Sequence, residues 1–146
     1  MKRIVIATDA SDEAWAAVEE GVELASDIGA EVTFVTVRPG IHLRGAPLYQ
    51  RKLTGQLAQA REALDQAESE AARLGVVCDS EILEGEPAER IVDVARYGEA
   101  DLIVVGSHGH GMIASALLGS VSQTLLEQSP VPVMIVRRRP RERAAA

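Results

Sequence analysis

Two short stretches carry residue types that could handle a phosphate or a proton. One is Gly106-Ser107-His108-Gly109-His110-Gly111, followed by Gly119-Ser120-Val121-Ser122. Glycines let backbone N–H groups turn toward an anion with no Cβ in the way. Ser120 and Ser122 can add hydroxyls at the start of a helix, where the dipole favours negative charge. The chain's lysines are Lys2 and Lys52, so the Gly-Lys-Ser/Thr of a Walker A loop is absent. A phosphate here would rest on backbone amides and hydroxyls. The same residues also suit a tight strand-to-helix connection, and spacing alone leaves both readings open.

The other stretch is Thr8-Asp9-Ala10-Ser11-Asp12. Asp9 and Asp12 could form a paired-acid metal site of the receiver type. That site also needs an Asp after the third strand and a Lys after the fifth, where Leu83-Glu84-Gly85 and Arg137 stand. Asp12 reads instead as a helix-start residue. His108 and His110 have no further ligands nearby for a metal. A His-x-Gly-His nucleotidyltransferase motif belongs near the first strand, not after the fourth. Phosphate-side or solvent-exposed roles are favoured for both histidines, and no catalytic or metal-ligating residue is assigned.

The elements that must position these loops alternate along the chain. Ile4-Val5-Ile6-Ala7 is a short apolar, β-branched run that reads as a strand. Ser11 offers an N-cap to a helix carrying Trp15, Val18, Val22, Ala25 and Ile28 on its apolar face, and Gly29 ends it. Trp15 is expected in the core. A second strand spans Val32 to Val37, and Arg38 to Leu48 reads as a long loop. A helix is expected from about Tyr49 to Leu74, with a continuous stripe of Leu53, Leu57, Ala60, Leu64, Ala67, Ala71 and Leu74. The stripe fits a core-facing helix better than a coiled coil, because strands follow at once. Then come a weak strand from Val76 to Leu83, a helix opened by Pro87, and the strand Leu102 to Val105. A helix from about Ser120 to Gln128 and a strand from Val131 to Val136 close the pattern. A βαβαβαβαβ order with continuous apolar strands predicts one α/β domain, a parallel sheet covered on both faces. Ligands in such sheets bind beyond the carboxyl ends of the strands, where the chain order reverses.

Composition narrows the possible partners. The 146 residues hold 15 Lys+Arg and 22 Asp+Glu, a net charge of −7, with 3% aromatic residues. Five arginines (Arg137, Arg138, Arg139, Arg141, Arg143) and Glu142 lie in the last ten positions. Taking them from the totals of 15 and 22 leaves 10 basic and 21 acidic residues, a net of −11 before the tail. Such a body repels a nucleic-acid backbone, so no nucleic-acid partner is expected. The tail, residues 139–146, is expected to be disordered and solvated. Cys78 stands alone, which excludes an internal disulfide and predicts a small strand residue without redox duty. Thr8, Asp9, Ser11 and Asp12 interrupt the first apolar run before a signal-peptide core could form, and no stretch could span a membrane. A cytoplasmic protein is expected.

The spacing Gly106-x2-Gly109-x9-Gly119-Ser120 resembles the nucleotide-binding signature of the universal stress protein family. The opening Ile-Val-Ile-Ala-Thr-Asp-Ala-Ser and the closing Ser-Pro-Val-Pro-Val-Met-Ile-Val are similar to that family too, as are Val-Val-Gly-Ser-His-Gly and Leu-Leu-Gly-Ser-Val. The resemblance runs from residue 3 to about 138, a domain of residues 1–138. It implies a Rossmann-like, doubly wound five-stranded sheet in the order 3-2-1-4-5 with helices on both faces. It also implies that Asp9 contacts ribose hydroxyls and that the backbone of Val37 meets the adenine edge. Gly106, Gly109, Gly119, Ser120 and Val121 would cradle the phosphates, with Val105 alongside, and Ser122 joins them as a hydroxyl donor. Ala10 departs from the family's pattern, because glycine is common there. His110-Gly111 replaces a polar pair often found inside the signature.

The expected function is therefore an ATP-binding, dimeric stress-response sensor or switch, with Mg²⁺ or Mn²⁺ carried on the phosphates. The homodimer would form through Val131 to Val136, an apolar edge strand broken by Pro132. Rival readings are a slow ATPase or adenylyl-transferring enzyme of the same superfold, and an interaction protein without a nucleotide. From Gly106 through Leu126 the chain has no Lys, Arg, Asp or Glu, which predicts slow hydrolysis at most.

Overall fold

The computed structural model describes residues 1–108 and 118–138. In chain order the elements are β1 (Arg3–Ala7), α1 (Asp12–Ile28), β2 (Glu31–Arg38), α2 (Ala46–Arg73), β3 (Cys78–Glu84), α3 (Pro87–Tyr97), β4 (Leu102–Gly106), α4 (Ser120–Gln128) and β5 (Val133–Val136). All strand pairings are parallel and the sheet order is β3-β2-β1-β4-β5. The expected topology is thus present. β1 sits at the centre, aligned as Ile6↔Phe34 with β2 and Ile6↔Val104 with β4. After β3 the chain crosses over β1 to β4, which makes the carboxyl ends of β1 and β4 the switch point.

Strands buried on both faces read as unbroken apolar runs, and β1 and β4 are of this kind. Ile4 and Ile6 face Val18 and Val22 of α1 and Leu64 and Ala67 of α2. Val5 faces the other way, toward Ile91 and Ala95 of α3 and Leu125 of α4. Gly21 sets the spacing of the first layer. A Cβ at Gly21 would lie 2.5 Å from Cδ1 of Ile6, so α1 approaches β1 over a residue without a side chain. Helix punctuation follows local chemistry. Ser11 accepts from the Ala14 N–H at 3.2 Å, Gly29 takes the left-handed C-cap at φ 71, and Pro87 stands in the first turn of α3.

Three elements, α2, β3 and β5, begin at residues other than those the sequence reading gave. α2 begins at Ala46, not near Tyr49, because Pro47 is tolerated in a first turn that needs no backbone donor. Its apolar stripe is buried only from Ala60 onward, while Leu57 is 40% exposed. A helix of 28 residues is about 42 Å long, whereas the eight residues of β2 span about 26 Å. The front of α2 therefore overhangs the sheet. β3 begins at Cys78 instead of Val76, since the Val76 N–H donates to Ala71 at the end of α2. β5 begins at Val133, so Pro132 precedes the strand and is not inside it. Pro132 has no N–H to give, but its carbonyl accepts from Ile103 at 3.0 Å. β5 is an edge strand, with Val133 and Ile135 on the α3/α4 face and Met134 and Val136 on the other. Trp15 is half-buried against the core and not enclosed by it.

Asp101 anchors the start of β1. Its Oδ2 accepts from the Lys2 and Arg3 N–H groups at 2.6 and 3.1 Å, and these bonds hold its carboxyl below the usual carboxylate range. A depressed pKa contributes stability above the unfolded-state value and loses it as pH falls through the folded value. Asp101→Asn should lower Tm at neutral pH. The gap from the parent should close as the buffer drops below about pH 4, as thermal melts across an acid series will show.

Candidate functional site

At the carboxyl ends of β1 and β4 lies a cleft of about 180 Å³. Its apolar wall is Ala7, Val35, Val37 and Val105 from the strands, with Pro87 and Ile91 from α3. Its polar end is Thr8, Asp9, Gly106, His108, Gly119, Ser120, Val121 and Ser122, with Ala14 of α1 beneath. Every described residue proposed for the site from the sequence lies on this lining: Asp9, Val37, Val105, Gly106, Gly119, Ser120, Val121 and Ser122. Gly109 and His110 lie outside the described residues.

The loop after β1 is held by its own short-range bonds. Asp9 Oδ1 accepts from the Ser11 N–H at 2.9 Å, an Asx-type turn that leads into the Ser11 cap of α1. Between them Ala10 has φ 67, the left-handed region in which a Cβ costs about 1–2 kcal/mol. That is the physical reason glycine suits this position. Thr8 is tied to β2 twice: its N–H donates to Val35 at 2.9 Å and its carbonyl accepts from the Thr36 hydroxyl at 2.8 Å. Asp12 is a first-turn residue of α1, as expected, and also pairs with Arg138 at 3.1 Å.

The loop after β4 is joined to α4 by backbone and hydroxyl bonds. The Gly119 N–H donates to the Ser107 carbonyl at 2.7 Å, and the Ser122 hydroxyl donates to the Gly106 carbonyl at 2.8 Å. Ser122 thereby directs its one O–H donor to the protein backbone, so it docks α4 onto β4 and offers an anion no hydroxyl donor. The first N–H groups of α4, at Ser120, Val121 and Ser122, have no acceptor within the helix and stand at the positive end of its dipole. The Ser107 hydroxyl lies 3.2 Å from His108 Nδ1. No lysine or arginine is among the described lining residues.

Gly106 has a role that the sequence pattern did not reveal. A Cβ there would sit 2.7 Å from the backbone carbon and oxygen of Glu13 and 3.0 Å from the Ala14 nitrogen. The glycine is needed because the first turn of α1 lies directly on the end of β4. Pro87 and Ile91 were also missed as site residues, because neither side chain carries chemistry that marks a site, and α3 comes to the cleft only because the chain passes from β3 to β4 over that face of the sheet. Thr8 and Thr36 were legible in principle: threonines at the ends of buried strands need partners.

The universal stress protein family model matches residues 1–137. A universal stress protein of Methanocaldococcus jannaschii is 33% identical over 144 residues, covering 97% of this chain and 85% of its own. Among solved structures, the universal stress protein UspA of Lactobacillus plantarum is similar with TM-score 0.85 and 28% identity, covering 93% of this chain and 97% of that one. A universal stress protein of Archaeoglobus fulgidus in complex with dAMP is similar at TM-score 0.72 and 26% identity, over 93% and 98% of the two chains. A further solved universal stress protein, in complex with cAMP, gives TM-score 0.72 and 27% identity, over 94% of this chain and 98% of that one. A doubly wound α/β domain with a cleft at its switch point is the class that fold and site define. The chain belongs to the universal stress protein family.

Gly106→Ala should force α1 and β4 apart, lowering stability by about 1–3 kcal/mol and disturbing both loops of the cleft. Urea denaturation will measure the loss, and an unchanged midpoint would show that α1 yields freely.

Proposed function

We propose that the cleft binds ATP, and that the protein acts as a dimeric, nucleotide-dependent stress-response sensor or switch. One observation carries the reading: an apolar wall suited to a flat base runs directly into the N-terminus of α4, within a single cleft. Asp9 meets the ribose hydroxyls and the Val37 backbone meets the adenine edge, with Val105 beside it. The phosphates lie over Gly106, Gly109, Gly119, Ser120 and Val121, while Ser122 holds the helix in place. The dAMP and cAMP complexes of relatives support an adenine nucleotide. Among the described residues no three His, Cys, Asp or Glu side chains are grouped to hold a metal. Mg²⁺ or Mn²⁺ carried on the phosphates would neutralise charge that the described cleft lining, with no lysine or arginine, does not. Fast phosphoryl transfer needs cationic groups at the γ-phosphate and a group to orient water. Backbone amides stabilise ATP and its transition state to similar extents, so bound ATP persists as a state marker.

Protein purified without added nucleotide is the test, by mass spectrometry of what denaturation releases. ATP is expected, chiefly as the intact triphosphate. Recovery of AMP or cAMP would overturn ATP as the ligand, and an empty protein that binds none of the three in calorimetry would overturn the site. Gly119→Val should weaken ATP binding by at least about tenfold, the effect of losing about 1.4 kcal/mol, with an unchanged circular dichroism spectrum. Gly119 has φ −73, so valine is conformationally acceptable there and acts by blocking the approach of the phosphates.

The dimer is proposed to form along β5, which among the described residues is paired on one side only, with β4. An edge strand with exposed N–H and C=O groups and half-buried Val133, Met134 and Ile135 is a template for a second copy. Ile135→Lys should move the sedimentation coefficient from dimer to monomer, and an unaltered dimer would place the interface elsewhere.

A further inference from the structure

A second groove, unconnected with the nucleotide reading, runs along the outer face of α1 beside the end of β5. Its floor is Trp15, Ala16 and Val136, and its rim is acidic, with Asp12, Glu19, Glu20 and Glu23. Arg137 and Arg138 enter it from β5, and Arg138 already pairs with Asp12 at 3.1 Å. We propose that this groove is the docking site of the chain's own arginine-rich segment, residues 139–143, which continues from Arg138.

Charge, reach and spacing support this occupant. Three more arginines follow, Arg139, Arg141 and Arg143, opposed only by Glu142. In an extended chain alternate residues share one side, so a docked segment in that form would present the three together at intervals of about 6.6 Å. On α1, Glu19 and Glu23 are one turn apart, about 6 Å, which matches that interval. From Asp12 to Glu23 the helix runs about 17 Å, and five extended residues reach about that far. Pro140 offers no N–H to a sheet neighbour, which discourages continuation of β5 and favours departure from the edge. Trp15 lies between Asp12 and Glu19 on the helix surface, where a guanidinium can stack on the indole while its charge meets the carboxylates. Arg73 of α2 also acts on Glu19, but it is held by Glu70 at 2.6 Å, which leaves the acidic row a net negative surface.

Trp15 is the single tryptophan of the chain, so its fluorescence reports on this groove directly. The experiment is acrylamide quenching of the full-length protein at low and high salt, beside the variant Arg139→Glu/Arg141→Glu/Arg143→Glu. Docking predicts that the parent is shielded in low salt. Its quenching constant should rise roughly two-fold near 1 M salt, where the Debye length is about 3 Å. The variant should be quenched at the higher level in both buffers. Adding Glu19→Arg/Glu23→Arg to that variant should restore the shielding. Equal quenching of parent and variant would overturn the proposal, and so would a charge swap that fails to restore it. Shielding that fades on dilution would also overturn it, because the groove would then hold the tail of another copy.

Discussion

The end of β4 and the first turn of α1 meet at a distance that leaves no room for a methyl group at Gly106. The loops of the cleft take their positions from this contact. With α1 seated there, the Asp9 loop that precedes it is carried over the end of β1, toward the loop that follows β4. Gly21 repeats the arrangement two turns along, against Ile6, so the whole of α1 lies low on the β1–β4 pair. A glycine inside a helix costs about 1 kcal/mol in propensity relative to alanine. Here it permits close contact with Ile6 and Val104, both fully buried.

The charge distribution follows a similar division. The chain is acidic overall, and the described lining of the cleft carries Asp9 and no lysine or arginine. Attraction for an anion must therefore come from oriented backbone, which is what the first turn of α4 presents. That turn is fastened at two points. The Ser122 hydroxyl and the Gly119 N–H both engage carbonyls at the end of β4, so the remaining amides need little reorganisation to meet a ligand.

Strain at the other loop has a local explanation. Ala10 sits at φ 67 between the Asx turn of Asp9 and the cap of Ser11, and the bond from the Ser11 N–H to Asp9 spans it. The bonds of Thr8 to Val35 and Thr36 fasten the loop to β2 and hold that conformation against the preference of an L-residue. The resemblance to a family in which glycine is common at this position thus has a stereochemical basis in this chain.

The sequence by itself determined the alternation of strands and helices, the two loops at the strand ends, and the helix boundaries marked by Ser11, Gly29 and Pro87. Each of these rests on residues within a few positions of one another: periodicity in one segment, or one side chain and a neighbouring N–H. The signature spacing pointed to the residues that line the cleft, since loops that open α1 and α4 can be read from their own glycines and hydroxyls. Only the tertiary structure decided where β5 begins, how far α2 overhangs the sheet, and why Gly106 must be glycine. It also decided that the Ser122 hydroxyl donates to the Gly106 carbonyl and that Pro87 and Ile91 form part of the wall. These features depend on which backbone lies across from a residue, over separations such as the 16 positions between Gly106 and Ser122. Local pattern carries no information about that distance, because it is set by the order of strands in the sheet and the depth at which each helix packs.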